Sequence, residues 1–275
     1  MNYALIGCGR VAINHIRAAL ANGLTLAAVC DINDEHIGDL FARAGFTQAQ
    51  AAAVHRYADY RELLAKEELT LVSIALPSGL HAECAAAVIE SGVNVIVEKP
   101  IALSLADADR LIALSREKNV KVCACHQNRF NLAVQEMRRR LENGSFGTLS
   151  NAAVTVRWSR DERYYGAGDW RGTWAQDGGA LMNQSIHGID LLRWMCGGKP
   201  KTVFGVTKRQ YHPYIQAEDV GVAVLEFENG VIATVEGGVN VYGDDLEEHL
   251  TLIGSKGTMK LGGKNASTVE YRCFA

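Results

Sequence analysis

The sequence predicts an α/β protein in two parts: a doubly wound parallel sheet over residues 1–126, then an α+β domain with an open, mainly antiparallel sheet over 127–275. Three observations predict it. Short apolar runs, of the kind that form strands buried on both faces, alternate with helical stretches as far as about His126. Beyond that point the rhythm changes, and Leu149 to Trp158 alternates apolar and polar residues at the period of a half-exposed strand. Asn229-Gly230 and Gly254-Ser255-Lys256-Gly257 are then hairpin signals among further strand candidates.

The first run, Tyr3 to Ile6, leads into Gly7-Cys8-Gly9-Arg10-Val11-Ala12, and a second run, Leu24 to Cys30, ends on Asp31. Strand, glycine turn, helix, strand and acid in that order suit a dinucleotide. Gly7 lets the chain turn sharply out of the strand, Gly9 removes the Cβ that would keep a pyrophosphate from the backbone, and Ala12 lets the helix pack close to the sheet. The helix N-terminus offers N–H groups to the phosphates, so Gly7, Cys8, Gly9, Arg10 and Val11 are the expected cofactor contacts of this turn. Asp31 is placed to accept hydrogen bonds from both hydroxyls of an adenosine ribose, and its charge repels a 2′-phosphate. NAD is therefore expected in preference to NADP.

The remaining elements follow in order. Asn33 to Ala44 has helical spacing with Gly45 at its C-terminal cap, a strand covers Val54 to Tyr57, and a helix covers Asp59 to Glu67. Leu71 to Leu76 is a buried strand broken by Pro77-Ser78-Gly79; a helix from Leu80 to Glu90 is closed by Gly92. Val93 to Val97 ends in Glu98-Lys99-Pro100, Ser104 caps a helix to Asn119, and Val120 to Ala124 is the last strand of this part. In the second part a helix over Asn131 to Glu142, a polar aromatic loop over Ser159 to Gly178 and a helix over Ala180 to Met195 are expected. Strands are expected at Thr202–Thr207, Val220–Phe227, Val231–Glu236, His249–Ile253 and Thr258–Leu261.

Composition excludes several functions. A net charge of −3 over 275 residues gives no electrostatic reason for a nucleic-acid or membrane partner, and Arg138-Arg139-Arg140 fans around a helix instead of forming a stripe. With no leader pattern and no apolar stretch near 20 residues, a soluble, cytoplasmic protein is expected. Seven cysteines without C-x-x-C pairs are expected to be reduced, small core residues. There is no G-x-x-x-x-G-K-[ST], H-E-x-x-H or G-x-S-x-G, and no metal-ligand spacing, so no metal is expected.

Ligands of doubly wound sheets sit at the carboxyl ends of the strands, which makes Leu76, Pro77, Ser78, His81, Glu98 and Lys99 candidates for the cofactor. An ammonium at Lys99, beside the nicotinamide, can hydrogen-bond a substrate hydroxyl and stabilise an alkoxide. The alternatives are a solvated Lys99 paired with Glu98, and a His81 that serves only as a structural hydrogen-bonding group. In the second part Asn183, His187 and Asp190 share one helix face, while Leu181, Gly188, Leu192 and Met195 form a buried stripe. Neutral His187 can take a proton from an alcohol near pH 7, with Asp190 or Asn183 orienting it; a hydrogen-bonded structural histidine is the alternative.

Taken together, Gly7-x-Gly9-x-x-Ala12, Asp31, the turn from Pro77 to His81, Glu98-Lys99-Pro100, and Gly178-Gly179 leading to His187 and Asp190 resemble the glucose-fructose oxidoreductase/inositol dehydrogenase/MocA family. The resemblance covers nearly the whole chain. It implies a Rossmann domain and an open sheet whose outer face builds a homo-oligomer, dimer or tetramer, with oxidation or reduction of one hydroxyl or carbonyl of a sugar or cyclitol. It also implies that Lys99 is the active-site lysine, joined to Pro100 by a cis bond, that His187 is the acid/base and that Asn128 joins the cofactor contacts. Asn183 stands where many members have aspartate. Asn183-Gln184-x-x-His187 is similar to the branch of 3-dehydrogenases acting on UDP-N-acetylglucosamine or its uronate. On that resemblance Arg157, Tyr164, Tyr165, Trp170, Arg171, Asn183 and Gln184 are expected to meet the substrate together with Lys99 and His187. The chain ends at Ala275, several tens of residues short of usual family members, so part of the sheet or substrate pocket is expected to lie beyond it. The expected activity is NAD-dependent dehydrogenation at sugar C3. The rivals are a free-sugar or inositol dehydrogenase and a non-catalytic NAD-binding sensor.

Overall fold

Tyr3, Ala4, Leu5 and Ile6 of β1 (Asn2–Ile6) are almost wholly removed from solvent, because β1 lies inside a sheet covered on both faces. The protein is described here from a computed structural model covering residues 1–275, which divides into two units, Met1–Cys125 and His126–Ala275. In the first unit α1 (Ala12–Ala21), β2 (Thr25–Cys30), α2 (Asp34–Ala44), α3 (Gln48–Ala52), β3 (His55–Tyr57) and α4 (Tyr60–Lys66) follow β1. Then come β4 (Leu71–Ile74), α5 (His81–Glu90), β5 (Asn94–Val97), α6 (Leu105–Lys118) and β6 (Val122–Ala124). The six strands are all parallel in the order β3-β2-β1-β4-β5-β6. Neighbouring residues of β1 sort to opposite faces: Leu5 joins Ile16, Val29, Leu40 and Phe41, whereas Ile6 joins Ile74, Val88, Val97 and Leu111.

The helix boundaries lie where the capping residues put them. Asn33, Asp59 and Ser104 each accept a hydrogen bond from a backbone N–H of the first turn, and Gly45 and Asn119 close α2 and α6 in the left-handed conformation. Each such N-cap contributes about 1 kcal/mol. The short α3, closed by a reciprocal Thr47–Gln50 capping box, was not expected.

The second unit begins with a single 3₁₀ turn, Gln127–Phe130, followed by α7 (Leu132–Glu142), β7 (Leu149–Arg157), α8 (Glu162–Gly166), α9 (Gly179–Asn183) and α10 (Ile186–Cys196). Six strands follow: β8 (Pro200–Lys208), β9 (Val220–Phe227), β10 (Ile232–Gly238), β11 (Glu247–Gly254), β12 (Gly257–Gly262) and β13 (Thr268–Phe274). Their order is β13-β12-β11-β7-β10-β9-β8, antiparallel except for the parallel pair β7/β10. One face carries the core, where Val134, Met137, Leu191, Leu192 and Met195 of the helices meet Val154, Val156, Val235, Leu250 and Leu252 of the sheet. On the other face Phe204, Val206, Val222, Val224 and Ile232 are exposed.

Three expectations need correction. The single helix over Ala180 to Met195 is two helices, because the Ser185 N–H reaches back five residues to Ala180 O, and the Asn183 and Gln184 side chains are drawn into a polar network. Strand β13 was not foreseen; it pairs on the sheet edge and is exposed along most of its length, so it lacks a buried apolar stripe. Cys8, Cys30, Cys84 and Cys196 are buried, but Cys123 and Cys273 are exposed and are not core residues. No helix is long and apolar enough to cross a membrane.

Candidate functional site

The glycine turn lies at the carboxyl end of β1, where the strand order reverses between β1 and β4. Gly7 has φ +91°, and a Cβ there would stand 2.5 Å from Ala75 O, so both conformation and space demand glycine. A Cβ on Gly9 would meet nothing within 4 Å; the backbone there faces open space, as a bound pyrophosphate requires. Arg43 donates to the carbonyls of Gly9 and Arg10, at 3.3 and 3.4 Å. Helix α1 starts beyond Val11 with no side-chain cap, leaving its dipole for an anion.

Asp31 accepts from Cys8 N at 2.8 Å and from Asn33 N at 2.9 Å, with His36 Nδ1 3.2 Å away. The Cys8 N–H therefore serves the acid instead of facing a phosphate. Oδ2, which accepts from Cys8 N, has a second lone pair with which to take a ribose hydroxyl, while Oδ1 faces both Asn33 N and His36 Nδ1.

Loops after β4 and β5 lie side by side, since Ile74 and Val97 are register partners. Ser78 is buried and Pro77 precedes the turn Ser78–Leu80, with Leu76 half-buried beside it. His81 is 1% exposed; Nδ1 lies 2.7 Å from Pro100 O and Nε2 2.8 Å from Leu76 O. Burial lowers its pKa against the pull of these carbonyls. Both ring nitrogens face main-chain carbonyls, one of which the single N–H of a neutral ring can reach, so the geometry favours the structural role for His81.

The Lys99-Pro100 bond is cis. Glu98 sits beside it: burial pushes its carboxyl pKa up, but the His15 hydrogen bond at 3.0 Å, the His15 charge and Lys99 outweigh that and hold it below the ordinary range.

In the second unit His187 is 7% exposed near the start of α10, with Gln127 Nε2 3.5 Å from its Nε2 and the His126 ring edge-on at 6.4 Å. Asp190 is held by Arg129, whose Nε and Nη2 donate to it at 2.7 and 2.5 Å, so its carboxylate is committed to a guanidinium. Asn183 donates to the buried Asp177 and accepts from Gln184 Nε2 at 2.7 Å. Gln184 Nε2 also reaches Tyr164 Oη at 2.8 Å, and Gln184 Oε1 accepts from Arg160 Nε at 3.0 Å.

The loop residues separate into three groups. Tyr164 and Trp170 flank the Arg171 guanidinium, 4.3 and 4.5 Å from their ring centroids, and Tyr164 is tied to Gln184. Tyr165 is buried against His212 and Tyr214 and packs the loop instead of presenting a surface. Arg157 lies elsewhere: it donates to Glu236 at 2.6 and 2.7 Å and to Glu247 at 2.6 Å. It points away from the sheet face on which α10 packs, where Val154 and Val156 lie under Gly188. Two carboxylates already neutralise it, which removes the reason to assign it to a phosphate.

Residues 1–126 match "Oxidoreductase family, NAD-binding Rossmann fold", and residues 134–260 match "GFO/IDH/MocA C-terminal domain". Inositol 2-dehydrogenase 2 of Saccharopolyspora erythraea is 30% identical over 98% of this chain and 76% of its own length. The chain belongs to the Gfo/Idh/MocA family. Among solved members, the WlbA dehydrogenase of Bordetella pertussis, in complex with NADH and UDP-GlcNAcA, is 34% identical with TM-score 0.92, over 100% of this chain and 81% of that one. WlbA from Chromobacterium violaceum, with the same two ligands, is 30% identical with TM-score 0.91, over 100% and 77%.

As a Gfo/Idh/MocA protein the chain is an NAD-binding oxidoreductase of the sugar-dehydrogenase type, and its glycine turn and Asp31 suit that cofactor. Sequence reasoning missed Arg160, Asp177, Gln127 and Arg129, which hold the residues around His187. Asp177, directly before Gly178-Gly179, was the one with a local signal.

Proposed function

We propose that the chain oxidises C3 of a UDP-linked N-acetyl-hexosamine or its uronate, with NAD as the acceptor. One observation carries this reading: dehydrogenases solved with NADH and UDP-GlcNAcA are 34% and 30% identical to this chain over its whole length. In this reading residues 1–126 hold the dinucleotide through Gly7, Gly9, Arg10, Val11 and Asp31, and residues 127–275 hold the sugar. Bound NAD supplies a hydride acceptor. His187 accepts the hydroxyl proton, since a neutral imidazole titrates in the right range, and the Lys99 ammonium stabilises the oxygen as negative charge develops. Gln127 Nε2 lies 3.5 Å from His187 Nε2, and the Asp190 carboxylate one turn on is held by Arg129. Asn183 and Gln184, tied to Asp177, Tyr164 and Arg160, shape the wall on the hexosamine side, and Tyr164, Trp170 and Arg171 offer faces to a ring. The exposed Phe204, Val206, Val222 and Val224 pair copies of the chain in this reading; light scattering of the purified protein tests that by mass.

A second reading, inositol oxidation, is favoured by the 30% identity to inositol 2-dehydrogenase 2. Nicotinamide reduction, followed by absorbance with UDP-N-acetylglucosamine, its uronate and myo-inositol, separates the two. Turnover of a UDP-sugar with none of inositol is the expected outcome. Turnover of inositol alone refutes the assignment.

A further inference from the structure

His15 of α1, Glu98 after β5 and Cys125 after β6 are brought together from three separate elements, with one nitrogen, one oxygen and one sulfur all within 4.8 Å of one another. The imidazole is 8% and the carboxylate 19% exposed, and Cys125 is half-buried, its N–H fixed to Val97 O at 2.8 Å. Neither the glycine turn nor the proton chemistry assigned above uses His15 or Cys125. Imidazole, carboxylate and thiolate are the ligands zinc takes, whereas magnesium and calcium take oxygen alone. Tetrahedral zinc holds such ligand atoms roughly 3.4–3.6 Å apart. The His15 Nε2–Glu98 Oε1 separation of 3.0 Å needs only a small side-chain adjustment to reach that spacing.

We propose that His15, Glu98 and Cys125 form a site for a thiophilic divalent cation, zinc by ligand chemistry, completed by water, and that its occupation inhibits the dehydrogenase. The inhibitory part rests on the function proposed above; the binding part does not. Cys125 meets the metal as a thiol and loses its proton on binding, as a thiolate ligand must. His15 binds through Nε2 and gives up the proton that this nitrogen donates to Glu98, which moves to Nδ1 in a neutral ring and to solvent in a charged one; Glu98 contributes one oxygen, and Cys125 releases its thiol proton to solvent. Zinc then draws the Glu98 carboxylate into its own coordination and sets a cation next to Lys99.

Equilibrium dialysis of the full chain, stripped with chelator and titrated with zinc chloride, is expected to show one tight site per chain. Cys125→Ala and His15→Gln each weaken that site by at least about tenfold. Cys123→Ser, which removes the exposed thiol two residues away, leaves it unchanged. With cobalt(II) as probe, a thiolate-to-metal absorption band is expected in the parent protein and missing from Cys125→Ala. NAD binding by each variant verifies its fold. Equal zinc affinity in the parent and Cys125→Ala, or no cobalt–thiolate band, overturns the site. Stoichiometric zinc with undiminished turnover overturns the inhibition alone, and absence of turnover on every sugar overturns the proposed function while leaving the metal titration readable.

Discussion

The first unit shapes its candidate site with main chain, and the second with side chains. Around the glycine turn, Gly7 packs against the Ala75 carbonyl, and Asp31 is fixed by the N–H groups of Cys8 and Asn33. Around His187 the work falls to Gln127, Arg129, Asp177, Arg160 and Gln184, whose side chains bind one another, α9 or α10. Backbone geometry leaves a short, local imprint on sequence, because only glycine or an acid meets the requirement at a given position. A side-chain network assembles from residues tens of positions apart, and each member looks ordinary by itself.

That contrast can be broken where it is sharpest. His187→Ala should lower kcat by about 10²–10⁴-fold while leaving NAD affinity within a factor of two, measured by steady-state rates and by titration of the cofactor. Loss of NAD binding instead would mean that the imbalance between the halves has been drawn in the wrong place. Gly7→Ala, with its new methyl against a carbonyl that cannot step aside, should cost about 3 kcal/mol in denaturant unfolding. Gly188→Ala meets side chains first, those of Val154, Val156 and Glu248, and should cost less, about 1–2 kcal/mol. Equal costs would show that the two units yield alike.

The second unit also carries a titrating group in its core. Glu248 is fully buried and burial raises its pKa to about 7, opposed only by a hydrogen bond from Asn128. A carboxyl whose folded pKa exceeds its unfolded one binds more protons in the native state. Its contribution is whole below pH 4.5 and is lost as pH rises toward about 7. Stability should therefore fall over that window by up to about 3 kcal/mol, and Glu248→Gln should flatten the profile in thermal melts at stepped pH. An unchanged slope in the variant would assign the effect elsewhere. Asp31→Ala should weaken NAD about tenfold and narrow the gap to NADP, read from KM for each. The smallest effect belongs to Arg157→Ala: kcat and KM for sugar should stay within twofold, because Arg157 serves Glu236 and Glu247 on the outer sheet face.

The legibility of the chain follows the same division. The cap at Ser104, the helix starts at Asn33 and Asp59, the glycine turn and Asp31 were readable because each is a local chemical necessity. The parallel sheet and the mainly antiparallel sheet that follows it were readable from the change of period. The break between α9 and α10 was not, since it is made by Asp177, Tyr164 and the side chains of Asn183 and Gln184 acting together. His81 and Tyr165 were assigned to ligands by type and position; burial and their partners assign them to structure. Arg157 was misplaced for a plainer reason. A strand's last residue can face either side, and the alternation that puts Val156 inside puts Arg157 outside.

One imidazole bridging Leu76 O and Pro100 O makes a single mechanical part of two segments that the chain numbers more than twenty residues apart. Whatever pushes on the Pro77 bend also tugs on the stretch carrying Lys99. In the proposed reaction, the bend beside the cofactor and the stretch carrying Lys99 would then be expected to shift together.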